Sequence, residues 1–211
     1  RQDFQSAAIG TSLFLAALLA IGHILMQPDY PFAPGVNPGI APYLFFSSYL
    51  AALTGVALGT QYEDRRFPLT ERDRTMVILG CILLSAVIVV VVRIVTPLLP
   101  SMVMVPGRLS PFAVWTGGIV NAVVAVWALW AWQRRRSQAL TPDGFVNLLG
   151  LAAFVWVLGL VGFLLFPYRY AVSWYVGGLA RPFGVGVIFL ALLREQAWLY
   201  REARSRVQDL E

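Results

Sequence analysis

The chain has 211 residues, 58% of them hydrophobic and only 13% charged. A water-soluble domain is about half apolar and a quarter charged, so much of this surface does not meet water. The formal charge of +5 comes entirely from arginine, sixteen of them with no Lys, and that absence excludes lysine Schiff-base chemistry, including retinal and pyridoxal phosphate attachment.

In chain order, six stretches are long and apolar enough to span a bilayer core. They are Ser6–Met26, Pro42–Gln61, Thr75–Thr96, Pro111–Trp132, Gly144–Phe166 and Val172–Leu193. A helix of about 20 apolar residues crosses the hydrocarbon layer, and none of the six contains Asp or Glu. The first has Arg1 ahead of it but no small-residue cleavage site, so it reads as a span and not as a signal peptide. The expected fold is therefore all-α and integral to the membrane: a bundle of six transmembrane helices.

The arginines orient it. Arg1, the Arg65–Arg74 group, Arg134 to Arg136, and Arg194, Arg201, Arg204 and Arg206 fall on one side. Arg93, Arg108 and Arg169 fall on the other. By the positive-inside rule, both termini are cytoplasmic. This topology accounts for the basic clusters without nucleic acid. The outer loops, PDYPFAPGVNPGIAP and PLLPSMVMVPGRLSP, are too short for an extracytoplasmic domain. Any stimulus is then small, membrane-dissolved, or the membrane itself. Trp127, Trp130 and Trp132 form an inner aromatic belt, and Trp115, Trp174 and Tyr175 an outer one. Gly55 and Gly59 make a GxxxG pair that permits close helix approach.

Arg181 stands apart. It lies nine residues into the last span, roughly 13 Å below the outer surface at about 1.5 Å per residue. A charge at such depth costs at least ~2.5 kcal/mol and marks a functional site by default. Asn121 has a similar depth in the fourth span. Pro182 follows Arg181, amid Gly177, Gly178, Gly184 and Gly186. His23 sits near the outer end of the first span, with Ser48 and Tyr49 in the outer half of the second. One level of the bundle thus gathers nearly all its polar groups. His23, Arg181, Asn121, Trp115, Trp174, Tyr175, Ser48 and Tyr49 are the candidate ligand-binding residues. Each also has a structural reading: a kink support, a packed histidine, a belt residue or a helix-packing hydroxyl. A lone His is too few for an ordinary zinc or bis-imidazole haem site, and the lone Cys81 allows no internal disulfide. No paired carboxylates and no Ser/His/Asp set can be assembled, so no catalytic residue, metal or cofactor is expected of these residues.

Beyond Leu193 the chain runs on as REQAWLYREARSRVQDLE. Leu193, Gln196, Tyr200, Ala203, Val207 and Leu210 fall in an a/d heptad register. The expectation is a membrane module over 1–193 and a cytoplasmic helix over 194–211, the start of a dimeric coiled-coil stalk. Pro182, Leu193, Tyr200, Ala203, Val207 and Leu210 would carry signal transmission. The alternative is an amphipathic helix lying on the bilayer. Both ends of the chain read as those of a fragment.

The run SLFLAALLAIGHILMQPDYPF resembles the helix-ending histidine motif of bacterial membrane-associated sensor (MASE) domains, especially their fourth class. RYAVSWYVGGLARPFGVGVIFLALLREQAWLYREAR is similar to their last helix, with its aromatic WY entry and LLRE…LY exit. WQRRRSQALTPDGFVNLLGLAAFVWVLGL fits the same pattern. Two positions depart from it. Gly178 stands where the family often has arginine, with Arg181 three residues later. Ser47, Ser48 and Tyr49 occupy a stretch that often holds a second histidine. The resemblance implies a sensory input module, often dimeric, in the bacterial inner membrane. It would precede a diguanylate cyclase or histidine kinase domain and would not itself be an enzyme. Its partners would be membrane lipids and a small or anionic hydrophobic ligand. The competing class is a small membrane transporter, against which the lack of intramembrane acids and broken-helix repeats argues.

Overall fold

A computed structural model describes residues 4–27, 37, 39–62, 70–105, 108–138, 144–165 and 172–208. Their dominant elements are long helices: α1 (Phe4–Leu25), α2 (Ile40–Gln61) and α3 (Glu71–Val95). α4 starts at Pro111–Ala113, passes through one π-helical turn at Val114–Gly118 and continues as Ile119–Gln138. α5 is Gly144–Leu165 and α6 is Val172–Gln208. Five of them, α1 to α5, are long and apolar enough to cross a membrane. The sixth expected stretch, Val172–Leu193, is not among the spanning candidates found in the described residues; it lies in α6, which runs through Pro182 as a single helix of 37 residues. The helix shows no interruption at 193/194.

Local chemistry fixes the helix starts. Thr70 caps α3 through a reciprocal box: its Oγ1 accepts from the Asp73 backbone N–H at 3.2 Å, and Asp73 Oδ2 accepts from the Thr70 N–H at 2.9 Å. Ser110 caps α4 by accepting from the Ala113 N–H at 3.2 Å, with Pro111 preset for the first turn. Between α3 and α4 lies a small antiparallel hairpin, β1 (Val103–Val105) with β2 (Arg108–Leu109). Its base is closed by the Ser110 N–H donating to the Met102 carbonyl at 2.8 Å. Met102 is buried against Phe46, Ala113 and Leu160, so the hairpin plugs one end of the bundle.

α2 lies at the centre, between α1 and α4, and it also touches α3 and α5. α5 joins α4 to α6. α3 packs through Ile88, Val89 and Val92 on Leu19 of α1 and on Ile40 and Leu44 of α2. Inside a bilayer, lipid tails are as apolar as side chains, so helices gain by close packing rather than by leaving water. The contacts here are built for that. The core is rich in alanine, including Ala52, Ala57, Ala125, Ala128, Ala152 and Ala153. α1 seats against the GxxxG pair of α2: a Cβ on Gly55 would collide with Ser12, and one on Gly59 would come 2.7 Å from Ile9 Cγ1. Trp156 of α5 fills the notch left by Gly184 of α6, and Trp132 of α4 the notch left by Gly150 of α5. α3 is the least embedded. It buries Cys81 and Ser85 and exposes Ile78, Leu79, Leu83, Val90 and Ile94.

Gly55→Val should therefore separate α1 from α2. An overpacking cost of about 1–3 kcal/mol should appear as a lower thermal midpoint in detergent. Gly10→Ala, which meets no atom within 4 Å, should leave the midpoint unchanged.

Candidate functional site

The polar level expected from the sequence takes shape where the end of α1 meets the start of α2. His23 Nδ1 lies 2.7 Å from the Ala41 carbonyl. A carbonyl only accepts, so Nδ1 carries the proton. Nε2 is then an acceptor, and Gln27 donates to it from Nε2 at 3.1 Å, one helical turn on. Both contacts are satisfied by the neutral imidazole. The ring also tilts over Phe45, with centroids 5.5 Å apart. Phe45 in turn contacts Tyr49 at 5.2 Å and Phe46 at 5.4 Å.

Ser48 and Tyr49 are both buried in α2. Ser48 Oγ donates back to the Phe45 carbonyl at 2.7 Å, which ties it to its own helix. Tyr49 belongs to the main core. His23, Ser48 and Tyr49 thus gather around Phe45.

Asn121 lies one aromatic layer away. It is 1% exposed in α4. Its Nδ2 donates to the Gly117 carbonyl at 2.8 Å, while its Oδ1 is buried with no hydrogen-bond partner among the described residues. Gly117 ends the π-helical turn region with Gly118, and it faces the Phe46 ring, which a Cβ there would strike. The path His23–Phe45–Phe46–Gly117–Asn121 is therefore continuous. A π-helical turn widens the ladder and leaves backbone groups off the regular pattern, an arrangement frequent at functional sites. Here the Asn121 amide supplies one of the missing donors.

Trp115 does not join this path. It sits in the π-helical turn with 67% of its surface exposed, facing away from the bundle. The side chains of Trp174, Tyr175, Arg181, Ala203 and Val207, and the whole of Leu210, fall outside what the structure describes. Pro182, Leu193 and Tyr200 are exposed along α6. Gln27, Phe45, Phe46 and Gly117 were not among the expected site residues. Gln27 and Gly117 carry a readable signal, since each lies four residues from a polar group already singled out. The Ala41 carbonyl is a backbone partner that no side-chain pattern discloses. Among the described residues, no three His, Cys, Asp or Glu side chains come together.

A family model described as a membrane-associated sensor domain, MASE3, matches residues 2–196. It names MASE3, where the motifs had pointed to the fourth class. No curated protein and no solved structure matches the chain.

An unpartnered buried acceptor costs about 1–3 kcal/mol. Asn121→Leu removes it together with the amide, at nearly the same shape. The same change strips the Gly117 carbonyl of its Nδ2 donor, so the two effects oppose and the thermal midpoint should move little. A loss of stability of more than about 3 kcal/mol, beyond the cost of leaving that carbonyl unpaired, would mean that Oδ1 has a partner in the folded protein.

Proposed function

Because the chain belongs to the MASE3 family of membrane-associated sensor domains, we propose that it is the transmembrane input module of a bacterial signalling protein. It takes up a small or lipidic ligand in its outer half and reports the event along α6. All six helices cross the inner membrane in this reading, with both termini cytoplasmic. A cytoplasmic histidine kinase or diguanylate cyclase receives the signal, and the tail pairs with that of a second copy.

The observation that carries the ligand site is the buried, unpartnered Oδ1 of Asn121 beside an irregular helical turn. Buried polar atoms almost always find a partner, and an exception calls for one. A ligand donor would complete that hydrogen bond, and His23 stands at the other end of the same aromatic path. On α6, Arg181, Trp174 and Tyr175 are at matching depth by their place in the sequence, and in this reading they too belong to the ligand site. A guanidinium without a membrane-embedded carboxylate favours an anionic, otherwise apolar ligand.

The length of α6 supports the relay. Its 37 residues span roughly 55 Å at about 1.5 Å each, against ~30 Å of hydrocarbon core. A change of tilt or rotation in the membrane part is carried by one rigid rod to the residues beyond. The ligand needs only a different affinity for two arrangements of the bundle.

The test uses the whole signalling polypeptide in its own membrane, with cyclic dinucleotide level or phosphorylation as readout. Arg181→Gln and Asn121→Leu should each shift output several-fold while expression holds. If both variants keep parental output, the ligand-site reading fails.

A further inference from the structure

One face of α4 is exposed among the described residues, and its chemistry changes along its length. Ile119, Val123, Val126 and Trp130 are 45%, 63%, 66% and 49% exposed. They follow one another every three or four residues, and Arg134 continues the series. On a helix that spacing makes a single stripe. From Val123 to Arg134 the stripe rises roughly 16 Å at about 1.5 Å per residue. That is half of a ~30 Å hydrocarbon core, the depth of one leaflet. It is apolar throughout that depth and turns amphipathic, then cationic, in its last turn.

The cationic end is ordered. Arg134 Cζ lies 5.4 Å from the centre of the Trp130 ring, and Arg136 Cζ lies 5.6 Å from that of Trp132. A guanidinium over an indole face keeps its in-plane N–H groups available, and these match phosphate oxygens two at a time. α4 contains no acidic residue from Pro111 to Gln138. Among the described residues the ion pair is Arg74 with Glu71, on α3. Among the described residues, Arg134 and Arg136 have no carboxylate partner.

We propose that this stripe seats one anionic phospholipid. An acyl chain lies along Val123, Val126 and Trp130, and the headgroup phosphate is held by Arg134, with Arg136 raising the positive potential at the same level. Charge selects the occupant. A zwitterionic headgroup brings its own cation to compete with the arginines, whereas a phosphatidylglycerol headgroup brings none. The seat lies at the opposite end of α4 from the His23–Asn121 path and does not depend on what binds there.

The test reconstitutes the full chain in nanodiscs of phosphatidylcholine with a minor share of phosphatidylglycerol, and reads lipids retained by native mass spectrometry. Phosphatidylglycerol should be enriched several-fold over its share of the bilayer. Arg134→Gln and Trp130→Ala, both at exposed positions, should bring that enrichment down to the bulk share with the thermal midpoint intact. Arg204→Gln on α6 should leave it as in the parent. Equal retention of the two lipids, or undiminished enrichment in Arg134→Gln, overturns the proposal. So does displacement of phosphatidylglycerol by inorganic phosphate alone, which would mark a site for a free anion.

Discussion

Where Ser12 and Ile9 of α1 press into the gaps at Gly55 and Gly59 of α2, two backbones come together that lipid would otherwise keep apart. The same device recurs elsewhere in the bundle. Phe46 lies on Gly117, Leu164 on Gly118, Trp132 on Gly150 and Trp156 on Gly184. In a medium that offers no hydrophobic gain for helix association, dispersion contacts at short range must supply the attraction. A large ring against a glycine maximises those contacts. The alanine-rich core serves the same end, because every missing side-chain atom lets a neighbouring helix come nearer.

The polar path depends on that closeness. His23 reaches the Ala41 carbonyl because α1 and α2 are in van der Waals contact along their length. Phe46 reaches the π-helical turn because Gly117 has no side chain to hold it off. Asn121 is then sealed in, with one amide hydrogen bond made and one acceptor left over. Asn121 Oδ1 is one of three buried side-chain atoms without a partner among the described residues, with Gln5 Nε2 and Trp132 Nε1, and it is the one that lies beside the π-helical turn. Phe45 and Phe46, adjacent on α2, link it to its two neighbours: Phe45 meets His23 of α1 and Phe46 meets Gly117 of α4.

Much of this was legible in the sequence, and the illegible part has a physical cause. Helix positions follow from hydropathy, and the seat of α1 follows from Gly55 and Gly59. The level of the polar groups could be counted from the helix ends, which placed His23, Ser48 and Tyr49 correctly near one another. Rotation about a helix axis could not be counted in the same way for α4. A π-helical turn accommodates one extra residue, worth about 100° of rotation at 3.6 residues per turn. Trp115 lies within that turn, so its depth was readable but its direction was not, and it points outward. The heptad spacing after Leu193 foretold an unbroken helix. A helix seen singly carries no record of the partner that such a spacing invites.

The uneven burial of the helices also bears on how the protein is made. α3 has the highest hydropathy of the five spanning candidates and the least of it covered by protein, while α2 has the lowest hydropathy and the most covered. A segment like α3 partitions into lipid on its own strength. α2 gains much of its stability only once α1 lies in its glycine gaps and α4 closes the other side. The chain order meets this need, because α1 leaves the ribosome first and is waiting when α2 enters. A lesion at Gly55 would therefore weaken the pairing on which the burial of α2 depends.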